Sequence, residues 1–347
     1  TSTGPTGILV PMIPRSRVEV GTVGTLSLLA VAGALMVAGC GAPGQASMRT
    51  DAPQPTASAD PATAGRNAAV DTPATPGSAI PGAGSAKWRP VGTRVAGQPA
   101  VFLATAAHGS VTLMRMDSRL LSFRLIPGWS YPEGSPRTAA DRNPNSWVPT
   151  IVAAFNGAFK LADGTGGYFY ADKLVRPLQN GLASAVITKD GRLTVGKWGR
   201  DQQLTADVLM VRQNMRLLVD QGTTSAAPND DPQKWGRSSH IKYVNRSALG
   251  QLPNGDLVFA YGHDVDAYGM AKTLIGAQVV NAIMLDMNVM WPAGFYFLHS
   301  GSHTKAIPIN AAMLRDPGAY LKPFEKDFFV ASPTVQPSGL PSDPARP

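Results

Sequence analysis

The sequence predicts a mixed α/β domain built on a largely antiparallel β-sheet, with hairpins and a few helices, and three observations predict it. Short apolar or alternating runs rich in strand-favouring residues fill the interior of the chain. Asp-Gly or Asn-Gly separates two neighbouring pairs of such runs. One amphipathic stretch, residues 267–279, leads into a wholly apolar run, Ala282 to Leu285.

In chain order, "PAVFLATA" (99–106), "SVTLMRM" (110–116) and "LLSFRL" (120–125) read as strands, and "TIVAAF" (150–155) reads as a fourth ending on Asn156-Gly157. "LASAVITKDGRLTVGKW" (182–198) turns at Asp190-Gly191, and "HIKYVNRSALGQLPNGDLVFAYG" (240–262) turns at Asn254-Gly255. Both dipeptides supply the positive φ that a tight hairpin needs. "DAYGMAKTLIGAQVVNAIMLD" (266–286) then gives the helix and a buried strand with Asp286 at its C-terminal end, where sites in α/β sheets gather. A lone carboxylate among apolar neighbours costs several kcal/mol unless it has a partner or a task, so Asp286 is the first candidate for function.

The two ends of the 347-residue chain read differently. From Met12, the expected start, Arg15 and Arg17 precede an uncharged run, Val23 to Val37, too short for a span of about 20 residues and suited to a signal segment. It ends in "VAGC", which resembles a bacterial lipobox, so residues 1–39 are expected to be a lipoprotein signal and Cys40 the lipidated residue. Cys40 is the only cysteine, so the domain has no internal disulfide and no thiol chemistry. Residues 40–87, without an aromatic side chain after Cys40, are expected to be a disordered tether, and residues 331–347 a disordered tail. The folded unit is then 88–330, on the extracytoplasmic face of the cell membrane.

Loss of Arg15, Arg17 and Glu19 with the signal lowers the formal charge from +8 to +7. That balance favours anionic lipid or phosphate-bearing wall polymers as partners. Nucleic acid is not expected, because no run of Lys and Arg interleaves with aromatics.

Four segments, in order over residues 150–290, resemble the phosphodiester glycosidase family. "IVAAFNGAF" (151–159) is similar to that family's "NGGFF" segment, and "LASAVITKDGRL" to its hairpin. "NRSALGQLPNGDLVFAYG" places Arg246 and Gly250 at its arginine and glycine, and "YGMAKTLIGAQVVNAIMLD" resembles the closing helix and strand that end on its aspartate. The chain departs from the pattern after that aspartate: Asp286-Met287-Asn288-Val289 stands where the family has "LDGGGS", and Tyr261-Gly262 where it has "DG". A glycine-rich loop lets backbone approach a ligand closely, so its loss bears on substrate scope and on activity.

The resemblance implies hydrolysis of a glycosyl phosphodiester, here of a wall glycopolymer. A phosphodiester is a good leaving group, so the acid that ordinary glycosidases need can give way to a cation holding the phosphate. Arg246, whose planar fork matches phosphate oxygens, suits that task. Asp286 suits the stabilisation of the sugar cation or the activation of water. Asn156 and Asn288 offer amides to sugar hydroxyls, and Gly157 lets the backbone come close. No cofactor is expected, although a divalent cation stays open.

Each residue also has a structural reading. Asp286 could cap the following segment or pair with Arg246, Arg246 could face solvent, and Asn156-Gly157 could be a plain turn. Among His263, Asp264 and Asp266, the expected role is capping of the helix by Asp266 rather than cation binding. His299 and His303 flank Ser-Gly-Ser and read as a loop rather than a zinc site, and Asp163 in "ADGTGGYFY" reads as a flexible rim. The alternative function is a phospho-glycan-binding or structural envelope protein that keeps the fold without cleavage.

Overall fold

The computed structural model describes residue 1 and residues 86–106, 110–236 and 240–334. The expected signal, Cys40 and the tether through residue 85 lie outside the described residues, as does the tail from residue 335.

The apolar runs form strands where local chemistry places them. The first are β1 (Arg89–Val91), β2 (Val101–Ala106), β3 (Val111–Met116) and β4 (Leu121–Ile126). After the one-turn helix α1 (Ala139–Arg142) come β5 (Ala153–Asn156), β6 (Tyr168–Tyr170) and β7 (Lys173–Arg176). The Asp190-Gly191 hairpin joins β8 (Ala183–Thr188) to β9 (Leu193–Lys197), and β10 (Val208–Asn214) follows. The short β11 (Val219–Asp220) and β12 (Thr223–Thr224) precede the Asn254-Gly255 hairpin of β13 (Val244–Gln251) and β14 (Leu257–Val265). Gly191 and Gly255 take φ of 84° and 89°, as these turns require. Helix α2 (Ala267–Gly276) leads to β15 (Asn281–Met287), then to the hairpin of β16 (Gly294–Ser300) and β17 (His303–Pro308), and to β18 (Phe328–Pro333).

These strands form three sheets. One has eight strands in the order β1-β2-β3-β14-β13-β15-β11-β12, and two have five, ordered β7-β6-β10-β8-β9 and β17-β16-β5-β18-β4. Every pairing between named strands is antiparallel. The α/β expectation is therefore too loose: two α-helices accompany the sheets among the described residues, and neither makes a parallel crossover. The rule that sites gather at the C-terminal ends of parallel strands has no purchase here. β18 runs to Pro333, opposite Leu121, so sheet pairing continues past the expected boundary at Val330.

Both faces of the eight-stranded sheet are covered. Leu249, Phe259, Tyr261, Ile283 and Leu285 join the main core with Phe155, Phe295 and Phe329 of one five-stranded sheet and Tyr168 and Met210 of the other. The alternate residues Ala248, Val258, Ala260, Ala282 and Met284 pack under α2 through Met270, Ala271 and Leu274. Asp266 caps α2 as expected, its Oδ1 accepting the Gly269 N–H at 2.7 Å. The helix stops at Gly276, short of the expected 279, and Gln278 takes φ 65° before β15. No helix among the described residues is long and apolar enough to cross a membrane.

Candidate functional site

Strict alternation along β15 would put Asp286 on the α2 face with Ala282 and Met284. A β-bulge prevents it. Against β13, Ala248 lies opposite Met284 but Ser247 lies opposite Asp286, so Leu285 is the extra residue and Asp286 turns to the side of Ser247. That side is the junction of the three sheets.

There Asp286 is 2% exposed, and one carboxylate oxygen forms an ion pair with the ammonium of Lys326, itself buried just before β18. The other accepts the Met287 N–H at 2.7 Å. The Asp286 N–H donates to Ser247 Oγ at 3.2 Å, and the Asn156 amide donates to the same oxygen at 3.0 Å. Burial pushes the Asp286 carboxyl above the ordinary carboxylate range, and the nearby Asp327 adds to this; Lys326 opposes it.

A second buried pair lies beside the first. Arg212 of β10 donates to Asp327 Oδ2 at 3.0 Å and to the Phe159 carbonyl. Asn214, two residues along the same strand, donates to the carbonyls of Met284 at 2.7 Å and Leu285 at 3.3 Å, tying β10 to the bulge. Two buried acceptors, Asp327 Oδ1 and Asn214 Oδ1, receive no hydrogen bond from the described residues. Acceptors of this kind suit the hydroxyl donors of a sugar.

Trp291 covers the pair from outside. The Lys326 ammonium lies 5.2 Å from its ring centroid, Lys160 lies 5.9 Å away and the Arg315 guanidinium 4.8 Å away. Lys160 also sits 4.0 Å over the Tyr131 ring, and its contact with Tyr131 raises its pKa. Three cations thus lie around one indole, and of these Lys326 pairs with Asp286.

The structure brings Asn156, Gly157 and Asp286 together and sends Arg246 elsewhere. As the strand neighbour of Ser247, Arg246 points to the opposite face, under α2. Its guanidinium donates to the carbonyls of Val265 at 2.9 Å, Lys242 at 3.1 Å and Trp235 at 3.4 Å. Burial lowers its pKa to about 10, against the charge of Asp266. Arg246 therefore holds backbone together, neither facing solvent nor pairing with Asp286. Arg246→Ala is expected to lower the unfolding free energy by about 3 kcal/mol, measured by urea denaturation, because three carbonyls lose their donor and a cavity opens.

The other residues have defined places. The Asn156 amide is fully engaged: its donors go to Ser247 Oγ and the Gly157 carbonyl, and its oxygen accepts the Ala293 N–H at 2.9 Å. It positions Ser247 rather than offering free groups. Gly157 is needed because a Cβ there would meet the Asp327 carboxylate. Asn288 Oδ1 accepts the N–H groups of Met290 and Trp291, both at 2.6 Å, and so shapes the turn that carries Trp291. His299 is held by the Ile151 carbonyl at 2.7 Å and Thr304 at 3.2 Å, which fixes it within its hairpin.

Lys326, Asp327, Arg212, Asn214, Trp291 and Lys160 were not singled out from sequence. "VLMVRQN" (208–214) sets a guanidinium and amides inside an apolar strand pattern, the same signal that marked Asp286, whereas Lys326 and Asp327 precede β18 and carry no such signal.

No protein-family model matches the chain, and no curated protein matches it. Among solved structures, it is similar to the zebrafish N-acetylglucosamine-1-phosphodiester alpha-N-acetylglucosaminidase catalytic domain auto-inhibited by its pro-peptide, at 16% identity and a TM-score of 0.42, covering 71% of this chain and 87% of that one. It is also similar to a hypothetical protein from Synechocystis, at 13% identity and a TM-score of 0.36, covering 70% of this chain and 64% of that one. Both likenesses are remote and concern the fold.

Proposed function

We propose that the protein is an exported, lipid-anchored hydrolase of glycosyl phosphodiesters in a cell-envelope glycan, working through Asp286. The observation that carries this reading is the carboxylate turned by a bulge into a buried polar junction and paired with Lys326, next to Trp291, whose ring Lys160 and Arg315 also approach. The four-segment sequence resemblance supports it, and "VAGC" supports the lipid anchor at Cys40.

The chemistry assigns a task to each group. Cleavage breaks the bond between the anomeric carbon and a phosphate oxygen; the phosphate departs with the electron pair, and water supplies hydroxyl to the sugar. Lys326, Lys160 and Arg315 offset the charge of the departing phosphate, the role expected of Arg246. Asp286 stabilises the developing sugar cation or takes the proton of water. Its raised pKa makes it a better base than an exposed aspartate. Asn156 and Ser247 hold its backbone in the bulged geometry.

One observation favours a second reading, retention of the fold for phospho-glycan binding without cleavage. Asp286 is buried and both its oxygens are engaged, and Met287-Asn288-Val289 stands in place of a glycine-rich loop. Phosphorus NMR separates the two. The purified full chain, incubated with the methyl phosphodiester of N-acetylglucosamine, is expected to release a phosphomonoester, and Asp286→Asn to reduce release at least a hundredfold. Line broadening without a new phosphomonoester line would instead assign binding alone.

A further inference from the structure

The surroundings of Trp291 bear on what the second arm of the phosphodiester is. Nine large hydrophobic side chains are exposed among the described residues, and four of them belong to the chain segments that meet around Trp291. The Trp129 backbone N–H donates to the Phe324 carbonyl at 2.9 Å, and the Phe324 ring lies 6.2 Å from Trp291. Arg315 lies 4.8 Å from both rings and donates to the Met290 carbonyl at 2.9 Å. Val289 precedes Met290, and Leu314 precedes Arg315. Exposures of 57% for Trp129, 57% for Val289, 44% for Met290 and 62% for Leu314 make this an apolar rim. Exposed apolar side chains grouped on neighbouring segments mark a candidate interaction surface.

From inside outward the groups follow a fixed order. The Asp286–Lys326 pair is buried, Trp291 with Lys160 and Arg315 is half-buried, and the four apolar side chains are exposed. A ligand that matches this order carries hydroxyls at its inner end, an anion in the middle and hydrocarbon at its outer end. A wall polymer with a polar second arm would leave the rim in water.

We infer that the second ester arm is a hydrocarbon chain, so the substrate class is an alkyl or isoprenoid-like glycosyl phosphodiester whose chain lies on Trp129, Val289, Met290 and Leu314. This rests on the phosphodiester reading of the same site. The charge complement is local: Lys160 and Arg315 both lie by the Trp291 ring, between the buried junction and the exposed apolar side chains, and would answer the charge of the phosphate there.

Isothermal titration of the full chain with ethyl phosphate, octyl phosphate and the uncharged octyl glucoside, all below micelle-forming concentrations, tests the inference. Octyl phosphate is expected to bind at least tenfold more tightly than ethyl phosphate, since each methylene that is fully covered tightens binding up to about fourfold. In Met290→Ser/Leu314→Ser, two exposed positions, that ratio is expected to fall toward one, and Lys160→Gln is expected to weaken both phosphates. If ethyl and octyl phosphate bind equally, the hydrocarbon arm is wrong and the phosphodiester site stands. If neither binds, both fall. Octyl glucoside binding as tightly as octyl phosphate would overturn the inference, because the anion would then play no part. A dimer in sedimentation that Met290→Ser/Leu314→Ser dissociates would also overturn it, by assigning the rim to a second copy of the chain.

Discussion

Asp286→Ala is expected to lower the unfolding free energy by about 3–5 kcal/mol, the cost of leaving a buried ammonium without its partner. Lys326 is 3% exposed and its charge is answered by Asp286 alone within ion-pair distance among the described residues. Neutralising both partners, as Asp286→Asn/Lys326→Met, is expected to cost far less than the two single changes together, because the desolvation of two charges is removed along with their attraction. Burial outweighs the attraction of Lys326 in setting the Asp286 pKa, and the balance points the same way. The folded chain keeps that proton to a higher pH than the unfolded chain. The contribution of Asp286 to stability therefore declines as pH rises above about 4. Urea unfolding of the four chains, read as a double-mutant cycle, measures the coupling.

The second large effect is expected at Gly157. Its N–H donates to the Asp327 carbonyl at 2.9 Å, and its Cα lies against the Asp327 carboxylate. Arg212 holds that carboxylate at 3.0 Å, so withdrawing Asp327 from an added methyl group would disturb the pair. Gly157→Ala is expected to cost about 3 kcal/mol or more, combining overpacking with disruption of a buried ion pair. The displacement would also move Lys326, the chain neighbour of Asp327, away from Asp286. Loss of any hydrolysis of the glycosyl phosphodiester should therefore accompany the fall in thermal midpoint.

What could be read from the sequence is what local chemistry decides. The Asp190-Gly191 and Asn254-Gly255 hairpins follow from positive φ in two residues, and the Asp266 cap follows from its place before α2. Asp286 stood out because it is the one charge in an apolar run. The bulge at Leu285 did not, because it depends on how β15 registers against β13. Without it, alternation puts Asp286 on the face of Arg246; the expectation that the two work together came from the family resemblance and not from the strand pattern. Lys326 was invisible for a related reason: an ion pair across 40 residues leaves no spacing pattern between its members. Arg212 and Asn214 were legible in principle, since a guanidinium and an amide within "VLMVRQN" break the strand pattern as Asp286 does. The largely antiparallel sheet followed from the hairpins, and the α/β label was loose because a single helix before a buried strand imitates a parallel crossover, whereas α2 covers one sheet face and returns the chain antiparallel to β13.

The central claim is that the charge cluster is a ligand site and not only an ion pair of the core, and the neutralised pair separates these roles. The measurement is phosphorus NMR of the methyl phosphodiester of N-acetylglucosamine titrated against wild type and against Asp286→Asn/Lys326→Met, with thermal unfolding of both chains to establish that each is folded. The account predicts that wild type broadens or converts the phosphodiester line and that the folded double variant leaves it sharp. Equal broadening or conversion by both chains would contradict the account and leave Asp286 and Lys326 as structure alone.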